Sequence, residues 1–204
     1  MPFNYNKVLV LGATSGIGWA LASKLVKNGT SVIVTGRRQE KLDEFVSQHG
    51  KDKAEAVQFD ITQLDKIPGF VKNIMESHPD IDSIFLNSGI QRGFDFSKPE
   101  SIDLSSVSEE MNTNYISYIH LVTAFTPYLQ KQSKQTSFIF TTSGLALLSS
   151  LMHCLFRDRA PVARTNGYYD GILRCGDRFD WNMTTIERGK KVVRCCMLIE
   201  NRYP

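Results

Sequence analysis

Long hydrophobic runs are missing from this sequence. No apolar stretch approaches the roughly 20 residues that a membrane-spanning helix needs. The amino-terminal residues carry one early lysine, Lys7, and an apolar stretch that ends at Leu11, which is too short for the hydrophobic region of a secretory signal peptide. We therefore predict a soluble, cytoplasmic protein that has no membrane partner.

Cysteine is rare, and its spacing argues against a cysteine-based site. The chain has four cysteines, and no two of them form a Cys-x-x-Cys pair. That spacing lets a single turn present two thiolates to a metal ion. We therefore expect no metal site, and we expect the thiols to be reduced and unpaired.

A strong excess of one charge is also absent. The chain holds 24 Lys and Arg against 21 Asp and Glu, a net charge of +3, which does not indicate a nucleic-acid partner. The balance differs along the chain, because residues 1–150 carry a net −1 and residues 151–204 a net +4 together with all four cysteines. We therefore predict a first domain at 1–150 and a divergent, poorly ordered tail at 151–204.

Short apolar runs alternate with amphipathic segments through the first 150 residues. The predicted strands are 7–11, 31–35, 56–59, 81–86 and 137–141, with a weaker candidate at 192–199, and the predicted helices are 17–26, 39–49, 64–77 and 107–130. This alternation is typical of β-α-β units, in which right-handed helical crossovers join parallel strands. We predict a doubly wound α/β domain whose ligands bind at the carboxyl ends of its strands.

A glycine-rich turn follows the first predicted strand. It reads Gly12-Ala13-Thr14-Ser15-Gly16-Ile17-Gly18 and leads into the first predicted helix. Glycine lets the backbone approach a diphosphate closely, and the free N–H groups at a helix amino terminus attract anions. No Gly-Lys-Ser/Thr follows, so the turn favours a dinucleotide over ATP. The alternative interpretation is a glycine-rich turn that binds no ligand.

The turn and the motifs that follow it resemble the short-chain dehydrogenase/reductase family across residues 7–148. The glycine motif of that family is Thr-Gly-x-x-x-Gly-x-Gly, and here Leu11 replaces the threonine. The resemblance implies a Rossmann-like fold that binds a nicotinamide dinucleotide. The glycine-turn residues that it implies for cofactor binding are Gly12, Thr14, Ser15, Gly16, Ile17 and Gly18.

Further family motifs follow in the order that the resemblance implies. Asp60-Ile61-Thr62 resembles the segment whose aspartate contacts adenine, and Asn87-Ser88-Gly89 resembles the Asn-Ala-Gly element beside the cofactor. Asn114 matches an asparagine in the helix after the fourth strand, and Ser143 matches the serine that binds the substrate oxygen. The resemblance thus implies catalytic roles for Ser143 and Asn114. Taken singly, each of these residues also fits an ordinary cap, turn or strand end.

The end of the second predicted strand bears on the choice between the two nicotinamide cofactors. An acidic residue there accepts hydrogen bonds from the ribose 2′-hydroxyl of NAD, but this sequence has Gly36. Arg37 and Arg38 come next, and a guanidinium suits a 2′-phosphate. The pattern favours NADP(H) over NAD(H). A solvated pair of arginines at a helix entrance is the alternative.

The tyrosine and lysine that the family uses for proton transfer have no counterpart here. The tyrosine exchanges a proton with the substrate oxygen, and a lysine four residues later lowers its pKa. Thirteen residues after the matched serine this sequence has Phe156, and four residues later Ala160. The other downstream tyrosines, Tyr168, Tyr169 and Tyr203, also lack a lysine four residues later.

Three interpretations of function therefore remain open. The first is an NADP(H)-dependent short-chain oxidoreductase of reduced activity that acts on a small-molecule carbonyl or alcohol. The second is a non-catalytic dinucleotide-binding pseudoenzyme. The third is a truncated gene product, in which 151–204 comes from a shifted frame or a splicing event. The long predicted helix at 107–130 offers a surface for a homo-oligomer.

Overall fold

The fold is a parallel sheet with helices on both faces. The computed structural model describes residues 5–94, 97–143, 181–188 and 191–200, and for 142–143 and the last two ranges it describes the backbone alone. The first five strands are β1 (Lys7–Leu11), β2 (Ser31–Gly36), β3 (Ala54–Gln58), β4 (Ser83–Leu86) and β5 (Thr136–Ser143). They are parallel and lie in the order β3-β2-β1-β4-β5. The prediction of a Rossmann-like α/β domain is confirmed.

Two further strands extend the sheet on the β5 side. They are β6 (Trp181–Arg188) and β7 (Lys191–Glu200). Strand β7 pairs in parallel with β5, and β6 pairs antiparallel with β7. Strand β7 contains the weaker candidate at 192–199. The rest of the tail predicted at 151–204 lies outside the described residues.

The five described helices are α1 (Gly16–Lys27), α2 (Gln39–His49), α3 (Ile67–Ser77), α4 (Leu104–Met111) and α5 (Ser117–Lys131). Four of them cover the two faces of the sheet in pairs, α1 with α2 and α3 with α5. Successive side chains of a strand point to opposite faces. In β1, Val8 and Val10 accordingly pack with α1 and α2, whereas Leu9 and Leu11 pack with α3 and α5. These four β1 side chains are fully buried. A central strand covered on both faces needs such an unbroken apolar run.

Several boundaries differ from the sequence prediction. Strand β3 occupies 54–58 instead of 56–59, and the Phe59 ring that follows it stacks on Phe70 with the centroids 4.0 Å apart. The helix predicted at 64–77 opens with a short 3₁₀ turn, and α3 begins one residue before Pro68. Proline lacks an N–H group, which the first turn of a helix does not need. Strand β4 begins after Asp82, whose carboxylate accepts hydrogen bonds from backbone N–H groups of the amino-terminal segment.

The helix predicted at 107–130 consists of three consecutive segments. Asp103 starts α4 earlier than predicted, because its carboxylate accepts the backbone N–H groups of Ser105 at 3.0 Å and Ser106 at 3.2 Å. A π-helical turn, Asn112–Ile116, then joins α4 to α5. Such a turn shifts the register of the helix and is frequent at functional sites. Within the described ranges, every helix is too short or too polar to cross a membrane.

Candidate functional site

A cleft of about 300 Å³ opens at the carboxyl ends of the central strands. Its lining includes most of the predicted cofactor residues, namely Gly12, Thr14, Ser15, Ile17, Arg37, Arg38, Asp60, Ile61, Asn87, Ser88 and Gly89. Gly16 and Gly18 belong to the same loop but do not line the cleft. Gly36, Phe59, Thr62, Ile90 and Thr113 complete the wall. The strand order therefore brings together four loops that are far apart in the sequence.

Gly12 and Gly18 of the glycine loop are packed too closely for a side chain. Gly12 has a φ of 80° and Gly16 a φ of 58°, in the left-handed region that favours glycine. A Cβ atom on Gly12 would lie 2.6 Å from the Cα atom of Ser88. A Cβ atom on Gly18 would collide with the Gly12 carbonyl oxygen and with the Asn87 side-chain amide. The loop therefore lies directly against the segment that follows β4.

The amino terminus of α1 has the features of an anion site. Its N-cap, Ser15, makes no side-chain hydrogen bond to the helix backbone, and the first turn contains no acidic residue. The first N–H groups of a helix lack partners within the helix, and they carry the positive end of its dipole. The cleft is bordered by this terminus, so a phosphate group fits there.

Arg38 lies across the opening of the glycine loop. Its Nη2 donates hydrogen bonds to Thr14 Oγ1 at 2.7 Å and to Ser15 Oγ at 2.7 Å, and its Nε lies 3.2 Å from Thr14 Oγ1. Arg37 also lines the cleft, and its carbonyl accepts a hydrogen bond from Gln58. Two guanidinium groups thus border the same cleft as the α1 amino terminus.

Gly36 lies close to Thr14. A Cβ atom on residue 36 would lie 2.5 Å from Thr14 Cγ2. Ordinary carbon contacts are 3.5–4.0 Å, so a larger residue at this strand end would have to displace the threonine methyl group. The packing therefore disfavours the acidic residue typical of an NAD site.

Asp60 forms a local turn at the end of the β3 segment. Its Oδ1 accepts hydrogen bonds from the Thr62 backbone N–H at 3.0 Å and from the Thr62 hydroxyl at 2.8 Å. An aspartate that bonds the backbone two residues later is a common turn former. The turn places the Asp60 and Ile61 backbone in the cleft wall.

Asn87 connects three strand ends through one side chain. Its Nδ2 donates to the Gly12 carbonyl at 3.0 Å, and its Oδ1 accepts a hydrogen bond from Thr141 Oγ1 at 2.9 Å. The backbone N–H of Asn87 also donates to the Leu11 carbonyl. Because these bonds join the ends of β1, β4 and β5, Asn87 fixes the floor of the cleft.

Asn114 is held by the loop that follows β4. Its Oδ1 accepts the Ile90 N–H at 2.9 Å, and its Nδ2 donates to the Ile90 carbonyl at 2.7 Å. Both ends of the amide therefore bond to one backbone residue. The Asn114 side chain thus makes the two bonds that a neighbouring backbone would make, and it holds Ile90, which lines the cleft, in place.

A family model described as short chain dehydrogenase matches residues 6–155, which include this cleft. The chain belongs to the short-chain dehydrogenase family. A Bacillus subtilis protein named uncharacterized oxidoreductase DltE is 31% identical over 146 residues, covering 72% of this chain and 56% of its relative. The NADP-dependent 3-hydroxy acid dehydrogenase YdfG of Salmonella typhi is 29% identical over 127 residues, covering 62% and 50%.

Solved structures show the same architecture. The crystal structure of a short-chain dehydrogenase from Streptomyces avermitilis superposes with a TM-score of 0.65 at 27% identity, covering 73% of this chain and 53% of that one. This chain spans about half the length of the curated relatives that it matches, from 48% to 56% in the first three. The matched part is the one that forms the cleft.

In this member of the family, the position of Ser143 is given by the backbone alone. It is the last residue of β5, the strand next to β4, and it pairs with Glu200 of β7. Its Cα therefore lies at the same edge of the sheet as the cleft. The positions examined for the family tyrosine and lysine, Phe156 and Ala160, lie outside the described residues.

Tyr118, near the cleft, is a residue that the sequence motifs do not single out. Its hydroxyl donates a hydrogen bond to the Ser88 carbonyl. Burial raises the pKa of the phenol above its ordinary value of 10, so it is a poor proton donor to a substrate. Tyr118 therefore does not replace the missing catalytic tyrosine. Its spacing, one helical turn after Asn114, is the signal that could have revealed it.

Proposed function

We propose that this chain binds NADP(H) in the cleft and acts as a short-chain oxidoreductase that interconverts a carbonyl and a secondary alcohol. The observation that carries the proposal is the position of Arg38 on Thr14 and Ser15, beside a strand end that has Gly36 in place of an acidic residue. A guanidinium bonds a 2′-phosphate well and contributes little to a bare hydroxyl. The name of the Salmonella relative, an NADP-dependent dehydrogenase, supports this choice of cofactor.

The four loops of the cleft suit different parts of such a ligand. The glycine loop and the α1 amino terminus would hold the diphosphate, and Arg37 and Arg38 would hold the 2′-phosphate. The Asp60-Ile61 turn would contact the adenosine part of the cofactor. The Asn87-Ser88-Gly89 segment would contact the side of the cofactor that faces the sheet. When bound, the nicotinamide supplies or accepts the hydride.

The chemistry assigned to the protein itself is limited. Ser143 would donate a hydrogen bond to the substrate oxygen, and Asn114 would keep the Ile90 backbone in place. A positioned general acid contributes about 10²- to 10⁴-fold to such a reaction. Because the sequence lacks the family tyrosine and lysine, we expect turnover to be reduced by about that factor relative to intact members of the family.

The second candidate is a dinucleotide-binding protein without catalysis. Two observations favour it: the sequence has no Tyr-x-x-x-Lys after Ser143, and burial keeps the Tyr118 phenol from acting as an acid. The two candidates share the cleft and its ligand, and they differ only in turnover.

Fluorescence titration of the purified chain with NADPH and NADH tests the ligand, and a panel of carbonyl substrates in the same cuvette tests turnover. We expect NADPH to bind more tightly than NADH. Slow oxidation of NADPH with at least one carbonyl supports the oxidoreductase, whereas tight binding without oxidation supports the non-catalytic protein. Equal dissociation constants for the two nucleotides would contradict the NADP(H) proposal.

We also propose that two copies of the chain associate through the long helix. The large apolar side chains that are exposed among the described residues all belong to 104–119, and they are Leu104, Met111, Tyr115, Ile116 and Ile119. Seven residues separate Leu104 from Met111, and four separate Tyr115 from Ile119, so the members of each pair lie close together on the helix surface. An exposed apolar stripe of this kind marks an interaction surface.

A further inference from the structure

Tyr118 links the long helix to the wall of the cleft. It is half-buried in the first turn of α5, and its ring packs against Phe140 of β5 with the ring centroids 6.2 Å apart. Its hydroxyl donates to the Ser88 carbonyl. The ring is thus held by the core, and the hydroxyl reaches the backbone of a loop that lines the cleft.

Ser88, in the segment that follows β4, lies directly against Gly12 of the glycine loop. A Cβ atom on Gly12 would lie 2.6 Å from Ser88 Cα, 2.7 Å from its N atom and 2.7 Å from its Oγ. Strand β4 ends at Leu86, so Ser88 has left the regular pairing of the sheet. Any shift of the Ser88 peptide would therefore widen or close the gap between the two loops.

Two side chains restrain the Asn87-Ser88 segment. Asn87 donates to the Gly12 carbonyl on the cleft side, and Tyr118 bonds the Ser88 carbonyl from the core side. Burial raises the pKa of the Tyr118 phenol, so the hydroxyl keeps its proton and remains a donor at neutral pH. Ser88 is part-buried and lines the cleft, so water can replace the phenol as donor to its carbonyl, but water does not fix the position of the peptide. Loss of the bond would therefore leave the segment less tightly held.

We infer that Tyr118 is a positioning residue for the dinucleotide: it holds the Ser88 backbone against the glycine loop and so sets the width of the cleft. The inference rests on the proposed function, because it assumes that a dinucleotide occupies the cleft. Tyr118 itself does not line the cleft. It acts on the ligand through Ser88.

The test is the Tyr118→Phe variant of the full chain, which removes the hydroxyl and keeps the buried ring. Its matched control is Tyr128→Phe, the same change on the same helix, beside Met75 and Pro79 and away from the cleft. The dissociation constant of NADPH is measured well below the unfolding transition, and the thermal midpoint is measured without nucleotide. We expect Tyr118→Phe to raise the dissociation constant about three- to tenfold, as for the loss of one hydrogen bond, and Tyr128→Phe to leave it unchanged.

A purely structural role would give a different pattern. It would lower the thermal midpoint of Tyr118→Phe and leave the dissociation constant at the wild-type value, which would overturn the inference. A double-mutant cycle with Asn87→Ala adds a second measure, since two restraints on one segment should give non-additive losses of affinity, and additive losses would count against a shared segment. If the wild-type chain binds no NADPH, the proposed function fails and the inference fails with it.

Discussion

The Arg38 guanidinium donates hydrogen bonds to the Thr14 hydroxyl from two nitrogen atoms, Nη2 at 2.7 Å and Nε at 3.2 Å. These two residues come from different loops, 24 positions apart. The contact holds the arginine side chain over the glycine loop. A positive group that is already in place loses less conformational freedom when an anion binds.

Replacement of Arg38 by alanine should therefore weaken the binding of NADPH selectively. Hydrogen bonds to charged groups contribute about 1.5–3 kcal/mol, so we expect the NADPH dissociation constant to rise about 10- to 100-fold. The NADH constant should change little, because NADH has no 2′-phosphate. Lys41→Ala, which removes a positive charge from α2 outside the cleft, is the control. Equal losses for both nucleotides would contradict a 2′-phosphate site at Arg38.

Two glycine-to-alanine exchanges should have opposite effects on stability. At Gly18 the new Cβ atom would collide with the Gly12 carbonyl and the Asn87 amide, so we expect a loss of about 1–3 kcal/mol or more in the free energy of unfolding. At Gly69, in α3, the Cβ atom would meet nothing within 4 Å, and we expect a gain of about 0.5–1 kcal/mol. Urea unfolding of both variants measures the difference. A Gly18→Ala protein as stable as the wild type would show that the glycine loop and the segment after β4 are not tightly packed.

His49 should make the stability depend on pH in the neutral to mildly acidic range. Burial, and then the charge of Lys27, lower its pKa below the ordinary value of 6.5. The unfolded chain therefore binds a proton at a pH where the folded chain does not, so the free energy of unfolding should fall as the pH drops below about 6.5. His49→Gln, which can still bond Ser23, should make that decline shallower. Identical pH profiles for the two proteins, measured by urea unfolding, would rule out this contribution.

A lysine on the exposed apolar stripe should separate associated copies of the chain. Ile119→Lys places a charge among the other exposed apolar side chains, and the burial of an unpaired charge is costly. We expect sedimentation velocity to show a smaller species for Ile119→Lys than for the wild type at equal concentration. Ser47→Lys, on the exposed face of α2, should keep the wild-type distribution. If the wild-type chain sediments as a monomer, the proposal that two copies associate is wrong.

The sequence was sufficient for the elements whose own residues determine them. Strand β1 and helix α2 have the predicted bounds, because an apolar run ends at a glycine turn in one case and Gly50 ends the helix in the other. The glycine motif and the Asn87-Ser88-Gly89 segment also lie at the predicted edge of the sheet. These features depend on local order and on the alternation of strands and helices.

The remaining details depend on contacts between distant residues. A Cβ atom on Gly36 would lie too close to the Thr14 methyl group, and the two residues are neighbours only after β1 and β2 pair. The bonds of Asn114 to Ile90 and of Tyr118 to Ser88 span 24 and 30 positions. The spacing of apolar residues along the sequence does not reveal contacts between such distant residues. Neither partner could therefore be assigned before the fold was known.

The π-helical turn at Asn112–Ile116 constrains which insertions and deletions this gene could tolerate. Deletion of one residue there would convert the turn to regular α-helix and improve its backbone geometry. Each residue of an α-helix turns the chain by about 100°, so the same deletion would rotate α4 and Asn114 away from the face that carries Tyr118. The shorter helix would be locally more regular, and the two contacts with the β4 loop would no longer form together.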